Sequence, residues 1–460
     1  MHADLQLTKA PIPRLFMQIA LPAAIGYFFN VMFNVVDSWF AAQISTQALA
    51  GLSLSFPLFF VFIALGMGFS SGAAALMGAA LGANNRARAI QICQHVLLFG
   101  VVLSALVSVL GLSFHRSIFI WLGASGQYLD AASDYMRSLY AASAFMLLPA
   151  LLNAGLAAQG KTRYLRNVLV AGFFANLLLD PWFIYGGFGL PAMGVTGVAL
   201  ATLTVNACGT AYLLYQLKRS EMLGAAGVRF WRWQFDFSIV IDLLRQGLPT
   251  VLSMASTGVF FFIANKYISA FGSEAVAAYG IGLRIEQLVL VSSMAVNHAT
   301  LSLVANNFGA GDFARVRECR RVGLIISGCI LCFGTVVLLA AGAPLIAFFS
   351  DDAKVISIGI GYLMVEAFTL PAYALIHNNG GVLQGLKRPT AVMWAGLMRA
   401  VIMPLVLLPL FIGYAGFGIT AIWWVVFALA WSTGCVLMWV TERTLNEEEK
   451  QSKSVDSKRG

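Results

Sequence analysis

Apolar segments of about 20 residues or more recur along the whole of this chain, and each is long enough to cross a hydrocarbon layer of about 30 Å as a helix. That feature settles the class before any motif is considered. Charged residues make up 11% of the 460 positions, whereas a soluble domain carries roughly 25%. Twelve spans are read, from about 15–41 to about 418–441, with 134–158 as the fourth and 391–413 as the eleventh. The first apolar stretch starts near Leu15 and lacks a small-residue cleavage site, so it reads as a span and not as a secretory leader. The expected fold class is an all-α polytopic membrane protein with twelve transmembrane helices in two six-helix, pseudo-symmetric bundles.

Basic residues give the orientation. Every second loop is rich in Lys and Arg, and these loops with the two ends hold 23 of the 29 such residues; examples are Arg86 and Arg88, Lys161 to Arg166, Arg315 to Arg321, and Lys387 and Arg388. The intervening loops hold only Arg116, Arg137 and Lys354. The positive-inside rule then puts both termini in the cytoplasm. It also accounts for the net charge of +9 without a nucleic-acid partner. None of the six cysteines falls in an outer loop, so no disulfide is expected, and Cys329 and Cys332 read as packing within a span.

The chain repeats itself. Leu21-Pro22 returns as Leu248-Pro249, Gly82-Ala83 as Gly309-Ala310 and Arg88 as Arg315, each 227 residues later. Both halves begin on the same side, so the repeat is parallel. The domains expected are an amino-terminal bundle over 1–217, a cytoplasmic linker over 218–242, a second bundle over 243–441 and a polar cytoplasmic tail over 442–460. Two such halves suit a secondary transporter whose cavity opens alternately to either side.

Charges placed inside a bilayer are expensive and usually functional. The first half carries two deep acids, Asp37 and Asp180, and no deep base. Asn30, Asn34 and Asp37 share one face of the first span, Asn176 and Asp180 one face of the fifth, and Thr202 and Asn206 one face of the sixth. Three polar stripes can therefore line a common interior, with Asn153 of the fourth span as a further lining candidate. Two such carboxylates cannot both stay ionised cheaply without a cation, so the site should take up and release a proton or a monovalent cation. Pro22, one to two turns into the first span, either permits bending or only shapes the helix end. The second half differs. Lys266, Arg284, Glu286, Glu366 and Arg399, with His298 and His377, offer acids and bases that can pair, and they read as a structural ion network.

No G-x-x-x-x-G-K-[ST], H-E-x-x-H or nucleophile elbow is present, so neither an ATP-driven engine nor an enzyme is expected. Gly66, Gly68 and Gly72 read as close helix packing. The many Met and Phe residues suit an adaptable apolar cavity.

The motifs resemble those of the multidrug and toxic compound extrusion (MATE) family. They are Leu21-Pro22, Asn34-Val35-Val36-Asp37, Gly82-Ala83-Asn84, Gln159-Gly160-Lys161-Thr162-Arg163 and Asn176-Leu177-Leu178-Leu179-Asp180-Pro181, with Leu383 to Pro389 in the second half. The Asn-x-x-x-Asp-Pro pattern is similar to that of the branch named after DNA-damage-inducible protein F. This resemblance implies a twelve-helix efflux transporter of a bacterial inner membrane, acting on amphipathic, often cationic organic compounds; because the two halves complete a cavity without a partner, a monomer is expected. It also implies Asp37, Asn176, Asp180 and Thr202 as the cation or proton site, and a first helix that bends at Pro22. No cofactor is implied. The expected coupling ion is a proton, with sodium as an alternative. Sodium-coupled members carry acids in the seventh and tenth spans, whereas this chain has small, apolar or tyrosine residues near Gly258 and Tyr373. A flippase for lipid-linked saccharides, from the wider superfamily, is the remaining alternative.

Overall fold

The computed structural model describes residues 6–121, 126–187, 189–224, 227, 229 and 232–456. Eleven helices are long and apolar enough to cross a membrane, and a twelfth crossing consists of two helices bent by 53° at Ala142. In chain order they are α1 (Ile12–Ile44), α2 (Thr46–Gly82), α3 (Arg86–Trp121), α4 (Gly126–Ala141) and α5 (Ser143–Ala157), α6 (Arg163–Tyr185), α7 (Val195–Arg219), α8 (Phe237–Ile268), α9 (Ser273–Gly309), α10 (Phe313–Ala347), α11 (Ala353–Gly385), α12 (Pro389–Tyr414) and α13 (Thr420–Asp456). Large apolar side chains face outward, such as Leu178, Phe333 and Val336, as a lipid-facing belt requires.

Several details depart from the sequence reading. The fourth crossing is broken, with the Ser143 hydroxyl at the break donating to the Ser104 carbonyl of α3 (2.7 Å). α1 starts at Ile12, so Pro22 lies about three turns in, deeper than the one to two turns expected. α12 contains two wide, π-helical stretches, Met398–Ile402 and Pro409–Tyr414. Pro404 and Pro409 each remove an N–H from the α-helical ladder, and wider turns accommodate that loss. The polar tail is not irregular: α13 continues to Asp456. Its extension is held by Arg443–Glu447 and Lys453–Glu449 pairs one turn apart, and by Arg317 and Arg388, which pair with Glu442, Glu449 and Glu448.

The chain forms two compact units. One comprises Ile25–Met77 and Asn85–Val251; the other comprises the chain up to Ala24, Gly78–Asn84 and everything from Leu252 onward. The changeovers within α1 and α8 each fall two residues after a proline, Pro22 and Pro249. In the first-half unit, Phe40, Phe62, Phe119, Met136, Leu147 and Ile184 belong to one core. In the second-half unit, Tyr279, Tyr362, Leu370, Tyr373 and Trp423 belong to one core.

The central linker is strapped to α3 within the first-half unit. Arg88 pairs with Asp236 at 2.7 Å, and His95 Nε2 accepts the Asp236 backbone N–H at 2.9 Å. Hydrogen bonds from Ser238 and then from Arg88 draw the Asp236 carboxyl down to about 2.

Candidate coupling site

α6 and α7 supply the site's floor because small residues let them approach. A Cβ at Gly172 would lie 2.7 Å from Val205 Cγ1, one at Gly209 2.6 Å from Val168 Cγ1, and one at Gly197 2.7 Å from the Phe183 backbone. α6 also runs unbroken through Pro181 to Tyr185. Asp180 therefore sits inside a continuous helix, one turn from Asn176, which donates to its carboxyl.

Asn176 is the hub. Its Nδ2 donates to Asp37 Oδ1 at 2.5 Å and to Asp180 Oδ2 at 2.7 Å. Thr202 Oγ1 lies 3.3 Å from Asp37 Oδ2 and also bonds its own helix at Val198 O (3.1 Å). All four side chains are buried, Asn176 and Asp180 completely. The two carboxyls share one amide nitrogen as donor, so their oxygens lie close together and cannot both stay ionised cheaply. Neither makes a salt bridge to any described residue. Asn176 Oδ1 and Asp180 Oδ1 are buried acceptors without a partner. The arrangement can hold one proton between two acids, or present several oxygens to a small cation.

The structure thus brings together Asp37, Asn176, Asp180 and Thr202. The other polar residues of the three stripes do not join them. Asn34 donates to Asn30 O on its own helix, and Asn30 is exposed. Asn206 donates to Thr202 O and Met146 Sδ, while Asn153 Oδ1 is buried without a partner. Sequence reasoning missed Tyr135 on α4, which is buried and within electrostatic reach of both acids. A tyrosine in an apolar span carries no signal beyond core packing, so no motif could have singled it out.

The second-half charges divide in two. Lys266 and Arg284 are exposed and stand apart from the other three. Glu286, Glu366 and Arg399 gather in one place, yet Arg399 forms no salt bridge with either acid. The expected five-residue ion network is therefore corrected to a cluster of three, because Arg284 lies on the opposite face of α9 from Glu286. His377 Nδ1 contacts Ser293 Oγ at 3.0 Å.

Comparison with known proteins gives the family. The MatE family model matches residues 22–182 and again 249–410, which is more than half of the chain and marks the two repeats. A FAD transporter of Shewanella oneidensis is 28% identical over 405 residues, covering 87% of this chain and 88% of that protein. The multidrug export protein MepA of Staphylococcus aureus is 24% identical over 419 residues, 90% of each chain. A crystal structure of a MATE protein in the bent conformation superposes with a TM-score of 0.91 at 22% identity, covering 98% of this chain and all of the other, and shows the shared fold. With both repeats matched and the twelve-crossing fold in place, this chain belongs to the MATE family of membrane transporters.

Proposed function

We propose that this transporter exports amphipathic, often cationic organic compounds in exchange for protons, with Asp37 and Asp180 as the coupling carboxyls. One observation carries the reading: two buried acids are joined through Asn176, and among the described residues no basic side chain forms a salt bridge with either. A charge in this setting must be neutralised by something mobile. A proton and a cationic substrate that compete for the same carboxyls give exchange directly. The basic loops orient both termini toward the cytoplasm of a bacterial inner membrane, and one chain supplies both repeats of a working monomer. Pro22, at the changeover between the two compact units, is placed to let α1 bend as the site's charge changes.

Two refinements rest on specific observations. The unpartnered oxygens of Asn176 and Asp180 suit a sodium ion as an alternative coupling ion. The likeness to a FAD transporter makes a flavin dinucleotide a substrate to test beside cationic dyes. The deciding experiment is transport into everted membrane vesicles, with ethidium and FAD offered separately. The expected result is ethidium accumulation driven by an imposed pH gradient and indifferent to sodium. Accumulation driven only by a sodium gradient changes the coupling ion, and transport of FAD without ethidium changes the substrate class.

A further inference from the structure

We propose that Glu286 and Glu366 form a second proton-binding site, in the second-half unit, with Arg399 as its fixed counter-ion. Three helices assemble it. Glu286 comes from α9, Glu366 from α11, and Arg399 from the first wide turn of α12. Tyr362 Oη donates to Glu286 Oε2 at 2.5 Å. Glu366 is 3% exposed and its Oε1 has no hydrogen-bond partner. Arg399 lies over the Tyr373 ring, 5.7 Å from its centre, and its Nε is also without a partner.

Charge balance assigns the proton. Two carboxylates and one guanidinium leave the cluster at −1, and a net charge buried inside a bilayer is expensive. One bound proton makes the cluster neutral. The Tyr362 hydroxyl donates to Glu286, and that bond is stronger to a carboxylate than to a neutral acid, so the negative charge is assigned to Glu286. The proton resides on Glu366, because an unpartnered oxygen is tolerated better on a neutral acid than on a carboxylate. Binding is therefore simple protonation of the Glu366 carboxylate, with no other bond made or broken.

Packing selects a proton over a larger ligand. The Tyr362 and Trp423 rings meet edge to face at 4.9 Å, and Tyr279 and Trp423 stack at 5.7 Å, all three nearly inaccessible. A proton is the one ligand that needs no space. The groups acting on Glu366 are Glu286 and Tyr279 from α9, Arg399 from α12, and Tyr362 and Tyr373 from its own helix. His377 touches the cluster through Tyr373, with ring centres 5.9 Å apart. π-helical turns recur at functional sites. The one carrying Arg399 is where the fixed positive charge of the cluster is presented.

This site is independent of the role proposed for Asp37 and Asp180, and so is its test. The full-length protein, purified with Asp37→Asn and Asp180→Asn, is examined at neutral pH by infrared spectroscopy, where the carbonyl stretch of a neutral carboxylic acid is separate from that of ionised surface acids. The expected result is one such band, abolished by adding Glu366→Gln and doubled by adding Arg399→Met, since loss of the guanidinium calls for a second proton. No band, or a band that survives Glu366→Gln, overturns the proposal. If Glu366→Gln fails to fold, Arg399→Met decides: an unchanged band also overturns it. No transport is needed, so a failed coupling role for Asp37 registers separately.

Discussion

The two units solve the same electrostatic problem differently. Each buries a pair of acids among helices. The first-half pair, Asp37 and Asp180, has only neutral donors, Asn176 and Thr202, around it. The second-half pair, Glu286 and Glu366, has Arg399 within electrostatic reach and a tyrosine donor besides. A fixed cation lowers the demand for a mobile one. On the proposed function, the first-half pair is where charge comes and goes with the transport cycle, and the second-half cluster holds its charge more strongly.

That contrast can be broken most directly at Asp37. Replacement by Asn keeps the shape and removes the charge, and pH-gradient-driven transport should fall to background while the protein still purifies as a folded monomer. Asp180→Asn deletes one of two charge-assisted bonds to Asn176; at about 1.5–3 kcal/mol for such a bond, transport should drop about ten- to a hundredfold. Thr202→Val removes a weak 3.3 Å contact whose hydroxyl is also satisfied by Val198 O, and a loss of about 1 kcal/mol, several-fold in rate, is expected. Proteoliposome dye uptake measures all three. In the second half, Arg284→Ala and Lys266→Ala should leave uptake unchanged, because both side chains are exposed and apart from the cluster. An effect as large as that of Asp180→Asn would restore the wider ion network.

The smallest effect concerns the linker. Asp236 has a depressed folded-state carboxyl, so its contribution is present above the ordinary carboxylate range near about 4 and is lost as pH falls toward about 2. Limited proteolysis of the linker should therefore be constant from pH 8 to pH 5. Asp236→Ala should accelerate cleavage at every pH in that window.

Much of this was legible in the sequence, for identifiable reasons. Lipid allows few ways to satisfy a backbone, so span length and basic-loop alternation suffice for a twelve-crossing reading. The i, i+4 spacing of Asn176 and Asp180, together with the lack of a deep base, sufficed to single out residues that the structure brings together with Asp37. Asn30 and Asn34 looked equivalent but were not, because a polar side chain in a helix can bond its own preceding turn. The break at Ala142 and the wide turns of α12 depend on tertiary contacts that periodicity does not encode. The spacing of Arg284 and Glu286, i, i+2, already excludes a pair between them; which other helix supplies a partner to either residue depends on tertiary packing that spacing does not encode. The helical tail was missed because charged residues suggested solvent, when their partners were Arg317 and Arg388.

The central claim is that charge neutralisation of the Asp37–Asp180 pair drives transport. The most direct test is proton counting on the purified protein: a pH-indicator dye in weakly buffered detergent solution, with substrate added at neutral pH, compared between wild type and Asp37→Asn. Substrate binding should release a proton from wild type and none from the variant. Equal proton release from both proteins, or none from wild type despite binding, would contradict the account.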